Sequence, residues 1–181
     1  AILEVQEETQ VDLLVLCSKK NAKEDTQVGR NIIEISKISP APVLVIPDKT
    51  TAQPLKKIVL ACDFKKVTEI VPQQQLKKIW ELLQAELLVV NADTKSLPQQ
   101  KEAKMLAEES ALAAMLADYQ PQYFHISHAD AVQGIVEFAM ENQAQLIISL
   151  PRKHNFFTSL WNSNFSDQLT VKSTLPVLLL K

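Results

Sequence analysis

Glycine is almost missing from this 181-residue chain, which holds only Gly29 and Gly134. Loops that grip phosphate through backbone N–H groups usually need several glycines. Any such loop here is damaged or absent. Cysteine is as scarce: Cys17 and Cys62 argue against a disulfide framework and fit a reducing, cytoplasmic setting. Neither sign of charge dominates, with 19 Lys and Arg against 21 Asp and Glu for a net charge of −2. That balance gives no electrostatic basis for non-specific nucleic-acid binding and no acidic tail. No apolar stretch reaches the roughly 18 residues of a membrane span. No basic-then-apolar signal peptide opens the sequence. Nucleic acid and membrane are therefore not expected partners.

What is present is ordinary for a globular protein: 46% hydrophobic and 22% charged residues. The length predicts one domain or slightly more, with a core that needs no staples. The sequence starts Ala1-Ile2-Leu3-Glu4 without methionine, which reads as internal to a longer protein. A repeat points the same way. Residues 2–20 lie over 135–153 without a gap, so that Ile2, Glu4, Glu8, Gln10, Leu13 and Lys20 meet Ile135, Glu137, Glu141, Gln143, Leu146 and Lys153. After a one-residue shift, Pro42-Val43-Leu44 meets Pro176-Val177-Leu178. Any two α/β segments look somewhat alike. The matched Pro-Val-Leu endings and the shared spacing favour duplication. The polar stretch from Pro47 to Pro54, with its two prolines, reads as a linker.

Periodicity gives the rest. Ile58–Ala61, Leu87–Val90, Tyr123–Ile126, Leu146–Ile148 and Val177–Leu180 are short apolar runs of the kind that form buried strands. Leu76, Ile79, Trp80 and Leu83 fall at i, i+3, i+4 and i+7, an amphipathic helix with Pro72 near its start. Lys101–Asp118 is rich in helix formers. Asp130 with Gln133 three residues on resembles a capping box ahead of the Val132, Ile135, Val136, Ala139 stripe. Asn164–Ser173 completes the helices. Strands alternating with helices predict a parallel sheet covered on both faces. Ligands in such sheets bind at the carboxyl ends of strands, where the strand order reverses. Asp63, Asn91, His128, Asp130 and residues 151–164 fall at those ends.

At these residues the chain resembles the universal stress protein family. Ile58-Val59-Leu60-Ala61-Cys62-Asp63-Phe64 is similar to the family's opening strand and its aspartate. Ala129-Asp130-Ala131 stands where the family usually has Gly-Asp-Pro or Gly-Asn-Ala. Gln145–Ser149 and Leu175–Leu180 resemble its fourth strand and its closing Pro-Val-Leu-Val strand. The resemblance implies a tandem member whose first domain is partly present: residues 1–48 as the end of one unit, 49–56 as linker, 57–181 as a complete unit. In the first, Val11–Leu16 and Ala41–Ile46 would be the fourth and fifth strands. It further implies an open five-stranded parallel sheet of order 3-2-1-4-5 with helices on both faces, plus a partial second copy of the same fold. Pairing through the fifth strands, Ala41–Ile46 and Val177–Leu180, would make a homodimer or an intramolecular pseudo-dimer. Both strands are apolar and uncharged, an association liability unless paired.

ATP-binding members resemble Gly-x2-Gly-x9-Gly-Ser/Thr after the fourth strand. Here Leu150, Lys153, Ser163 and Asn164 occupy those positions, and Cys17, Lys20, Gly29 and Arg30 do so in the first segment, one residue short. The phosphate residues are therefore not carried over, while Asp63 matches the binders' aspartate. The expected degenerate cleft comprises Asp63, Asn91, Asp130, Arg152, Lys153, Ser163 and Asn164. Asp63 reads equally as a ligand acceptor or a turn residue. Arg152, Lys153 and His154 form either an anion clamp or, more simply, a solvated loop. Phe156, Phe157, Leu160, Trp161 and Phe165 either fill the cleft or belong to the ordinary core. His125, His128 and Asp130 do not converge as metal ligands, because residues three apart on a strand diverge. Neither a metal nor a catalytic residue is expected. Ser18, Ser127 and Ser149 lack a nucleophile-elbow context. The reading is a stress-response binding or signalling protein that acts through contacts with a protein partner, with no cofactor. The alternative is an ATP or AMP switch, or a weak ATPase, with a non-standard loop.

Overall fold

Short β-branched and apolar runs, too brief for stable helices, form the strands, and the i, i+3, i+4 stripes form the helices. The computed structural model describes residues 2–9, 11–18, 25–93, 103–150 and 164–180. In chain order the elements are α1 (Ile2–Thr9), β1 (Leu14–Ser18), α2 (Asp25–Ile38), β2 (Val43–Pro47), β3 (Lys57–Ala61), α3 (Val67–Ile70) and α4 (Gln73–Leu83). Then follow β4 (Glu86–Asp93), α5 (Ala103–Met115), a 3-10 turn (Ala117–Tyr119), β5 (Gln122–Ser127), α6 (Ala131–Glu141), β6 (Leu146–Ser149), α7 (Asn164–Lys172) and β7 (Val177–Leu179).

Among the described residues the strands make one sheet of seven, ordered β1-β2-β7-β6-β3-β4-β5. This corrects the expectation of a five-stranded sheet of order 3-2-1-4-5: the strands of the first segment are continuous with the rest. Within the sheet, the last five strands stand as β5-β4-β3-β6-β7. Every neighbouring pair is parallel except β2 and β7, which run antiparallel with Val43 opposite Leu179, Leu44 opposite Leu178 and Val45 opposite Val177. The physical reason is the character of these two edges. Uncharged and apolar, they satisfy each other's backbone groups and fuse the strands into a single sheet.

Each sheet face buries its own core. On one face Val59, Ala61, Val90, Ile147 and Val177 meet Ile135, Ala139 and Leu169 of α6 and α7. On the other, Ile58, Leu60, Val89 and Ile148 meet Leu76 and Trp80 of α4 and Leu112 of α5. The alternation along each strand divides its residues between the two.

The scarcity of glycine leaves a mark on the backbone. Among the described residues, five that are not glycine adopt positive φ: Phe64, Lys66, Gln84, Gln120 and Gln143. A left-handed L-residue costs about 1 kcal/mol or more. Gln84 closes α4 this way, φ 46°, its N–H reaching the carbonyl of Trp80, at the position where helices usually carry glycine. The predicted strand at Val11–Leu16 begins later, at Leu14. The short α3 was not foreseen, because four residues hold barely one turn of periodicity.

Candidate functional site

The order β4-β3-β6 puts the switch point between β3 and β6, since the chain leaves β3 toward β4 and returns on the other side to β6. Asp63 lies two residues beyond β3 and is buried. Its Oδ1 accepts a hydrogen bond from the Lys65 N–H at 3.2 Å, an Asx turn. Asn91, also buried, sits near the end of β4 and donates its Nδ2 to the Cys62 carbonyl at 3.0 Å. Both residues thus adjoin Cys62, Asp63 as the next residue in the chain and Asn91 through the Cys62 carbonyl. Phe64, at φ 48°, turns its ring into the core against Tyr123 and His125.

Helix α5 closes this end of the sheet. Glu108 accepts from the Val67 N–H at 2.8 Å, and Glu109 lies 3.3 Å from Nε2 of His125. Burial pushes the Tyr123 phenol up to about 12, with Cys62 and Glu109 adding to the shift. Its hydroxyl has no hydrogen-bond partner among the described residues.

Asp130 is at the neighbouring loop but is committed to structure. Its Oδ1 accepts from the N–H groups of Val132 and Gln133 at the start of α6, and its Oδ2 lies 2.8 Å from Nζ of Lys172 on α7. The Lys172 hydrogen bond, then the Gln133 N–H, hold the carboxyl below its ordinary range. The cap is only half of a capping box. Gln133 turns its amide to Glu137, and the Asp130 N–H goes instead to Nδ1 of His128 at 3.0 Å. His128 in turn lies over Gly134, where a Cβ would come 2.7 Å from the histidine Cβ. His125 and His128 therefore face different neighbours. Among the described residues no three His, Cys, Asp or Glu side chains gather as metal ligands.

On the β6 side, Ser149 and Ser166 are both buried with their hydroxyls 2.9 Å apart. A second hydroxyl does not take a proton as a histidine would, so this pair by itself does not activate either serine as a nucleophile. The following Leu150 is buried in the core beside Ile148 and Leu180. Asn164 begins α7, its side chain outside the described residues. Arg152, Lys153, Ser163, His154, Phe156, Phe157, Leu160 and Trp161 also lie outside them. Phe165 is buried in the core. The serine pair and Glu109 were not foreseen. Their partners lie 17 and 16 residues away, beyond any local pattern.

The family model of the universal stress protein family matches residues 55–181. Among solved structures, a universal stress protein from Archaeoglobus fulgidus DSM 4304 is similar over 99% of this chain and 63% of its own, with TM-score 0.65 and 17% identity. A functionally unknown protein from Pseudomonas aeruginosa PAO1 gives 0.69 and 19%, over 99% of this chain and 66% of its own. The chain thus spans slightly less than two thirds of those two proteins. A third, a universal stress protein in complex with cAMP, gives 0.51 and 14%, over 71% of this chain and 98% of its own. No curated protein matches the chain. No helix among the described residues is long and apolar enough to cross a membrane. Since the family model spans well over half of the sequence, and its α/β sheet is that of solved members, the chain belongs to the universal stress protein family.

Proposed function

We propose that this chain is a non-catalytic stress-response binding or signalling protein of the cytoplasm that acts through protein contacts and binds no ATP tightly. The observation that carries this reading is Leu150. It stands where ATP-binding members resemble glycine, and its side chain is buried in the core. A backbone nest needs main chain that approaches phosphate unobstructed, and here a leucine roots that turn in the interior. The polar groups alongside are engaged internally: Ser149 with Ser166 and Asn91 with Cys62. Neither Cys17 nor Cys62 is held in a disulfide, which agrees with a reducing compartment.

The reading extends to domain organisation. Residues 1–48 and 57–181 are one partial and one complete unit joined by 49–56, meeting as an intramolecular pseudo-dimer. The β2–β7 register supports this. Leu44 and Leu178, equivalent in the repeat, face each other, while Val43 meets Leu179 and Val45 meets Val177. A two-fold relation requires that reciprocal pattern.

A second reading is an adenine-nucleotide switch or weak ATPase with a non-standard loop. A structurally similar protein in complex with cAMP favours it, and Asp63 would be its acceptor. Titration calorimetry with ATP, AMP and cAMP separates the two. No heat at millimolar ligand is expected. Micromolar affinity that is lost in Arg152→Ala would establish the switch instead.

A further inference from the structure

Helices α5 and α6 lie on opposite faces of the sheet and are fastened differently. Among the described residues α6 buries seven of its eleven residues, whereas α5, with thirteen, buries Leu112 alone. Met105, Ala111 and Met115 pack against the core only in part. Two carboxylates add to that hold. Glu108 accepts the Val67 N–H at 2.8 Å, and Glu109 lies 3.3 Å from Nε2 of His125. Val67 opens α3, whose own cap residue, Lys66, makes no side-chain bond to the helix. Helix α5 thus supplies the cap that α3 lacks. The loop beneath is strained. Phe64 and Lys66 are left-handed, at φ 48° and 52°, and neither is glycine. The Phe64 ring is buried against His125 at 5.3 Å and Tyr123 at 6.4 Å. Cys62, 2% exposed, accepts the Phe64 N–H on its sulfur at 3.4 Å. The Tyr123 hydroxyl is buried with no hydrogen-bond partner among the described residues. Left-handed backbone and an unpaired buried hydroxyl both oppose this packed arrangement. Leu112 and the two glutamates oppose its loss.

We propose that α5 is a hinged cover over the Cys62 end of β3, held shut by Glu108, and that it lifts while the rest of the sheet stays folded. Its fixed end is the far one. Leu116 is buried, and the 3-10 turn that follows sets Tyr119 against Trp80, ring centroids 5.4 Å apart. The moving end carries Glu108 and Glu109. When it lifts, the Val67 N–H loses its acceptor and the loop from Asp63 to Lys66 relaxes. The Cys62 sulfur and the Tyr123 hydroxyl then meet solvent. Local opening of this kind belongs to elements with few buried apolar contacts, and a strained loop persists only while its surroundings hold it. The inference is independent of what the cleft binds.

The test uses the full chain carrying Cys17→Ser, which leaves Cys62 as its one thiol. Alkylation of Cys62 by iodoacetamide is followed by mass spectrometry. The labelling rate is expected to depend on urea far less steeply than global unfolding does, and amide exchange should be faster along α5 than along α6 or β4. Glu108→Ala should speed labelling at least about tenfold. Glu108→Gln, which keeps an acceptor oxygen, should restore most of the wild-type rate. Lys66→Gly relieves a left-handed residue of the shut form and should slow labelling about threefold to fivefold; the Lys66–Glu69 ion pair it removes is exposed and weak. A urea dependence equal to that of global unfolding would overturn the proposal, since Cys62 would then open only with the whole fold. So would exchange in α5 no faster than in α6, a wild-type rate in Glu108→Ala, or a rate in Lys66→Gly at or above that of wild type. Nucleotide calorimetry reads none of these, so this inference and the reading of the cleft fail separately.

Discussion

Replacing Asp130 separates a structural cap from a ligand-binding group. Its carboxylate accepts two N–H bonds at the start of α6, at 3.0 and 3.2 Å, and pairs with Lys172 at 2.8 Å. Losing an N-cap costs about 0.5–2 kcal/mol. The ion pair is half exposed, so screening leaves it about 0–1 kcal/mol. Asp130→Ala should therefore lose about 0.5–3 kcal/mol. Asp130→Asn keeps an oxygen for the cap and should lose only about 0.2–1 kcal/mol. The assay is urea unfolding with unchanged slope, so that midpoints report stability alone. The pH dependence has a definite sign. The folded carboxyl lies below its ordinary value of 3.8, so its contribution is fully present above that value. It fades as pH falls through the depressed folded value. The advantage of wild type over Asp130→Asn should thus shrink in strong acid. Equal losses in the two variants, or an advantage that grows toward acid, would refute the cap argument.

Gly134→Ala would normally stabilise a helix. Here the new Cβ falls 2.7 Å from His128 Cβ and 3.1 Å from its Cγ, so thermal melts should show a net loss of about 0.5–2 kcal/mol. Gln84→Gly relieves the left-handed residue that closes α4 and should gain up to about 1 kcal/mol by urea titration. Tyr123→Phe removes a buried hydroxyl without a partner among the described residues and should be neutral or stabilising. Wild-type stability should also decline as pH rises from about 10 to about 12, because the unfolded phenol ionises first, a decline that Tyr123→Phe diminishes. Ile148→Ala should cost about 2–5 kcal/mol. At the half-exposed repeat-equivalent position, Val15→Ala should cost under about 1 kcal/mol by the same assay.

Local physics made part of this protein legible from residues alone. The stripe Leu76, Ile79, Trp80 and Leu83 announces α4, because a helix brings those positions to one face. Asp130 announces the start of α6, since a short carboxylate side chain there reaches the N–H groups of the first turn. The absence of glycine at Leu150, Lys153 and Ser163 is legible for the same short-range reason. The places of Asp63 and Asn91 at strand ends were legible, but their engagement with Lys65 and Cys62 was not.

The sequence by itself determined the alternation of strands and helices, the two-sided burial of the strands and the poverty of glycine, each a property of neighbours within a few residues. Tertiary structure alone decided that seven strands make one sheet and that Ser149 meets Ser166. It also decided that Gln84 and Gln120 accept left-handed backbone, and that Val15 stays exposed while Ile148 is buried. Periodicity reports which side of an element is apolar. What covers that side depends on contacts between residues far apart in the chain, and no local pattern encodes them.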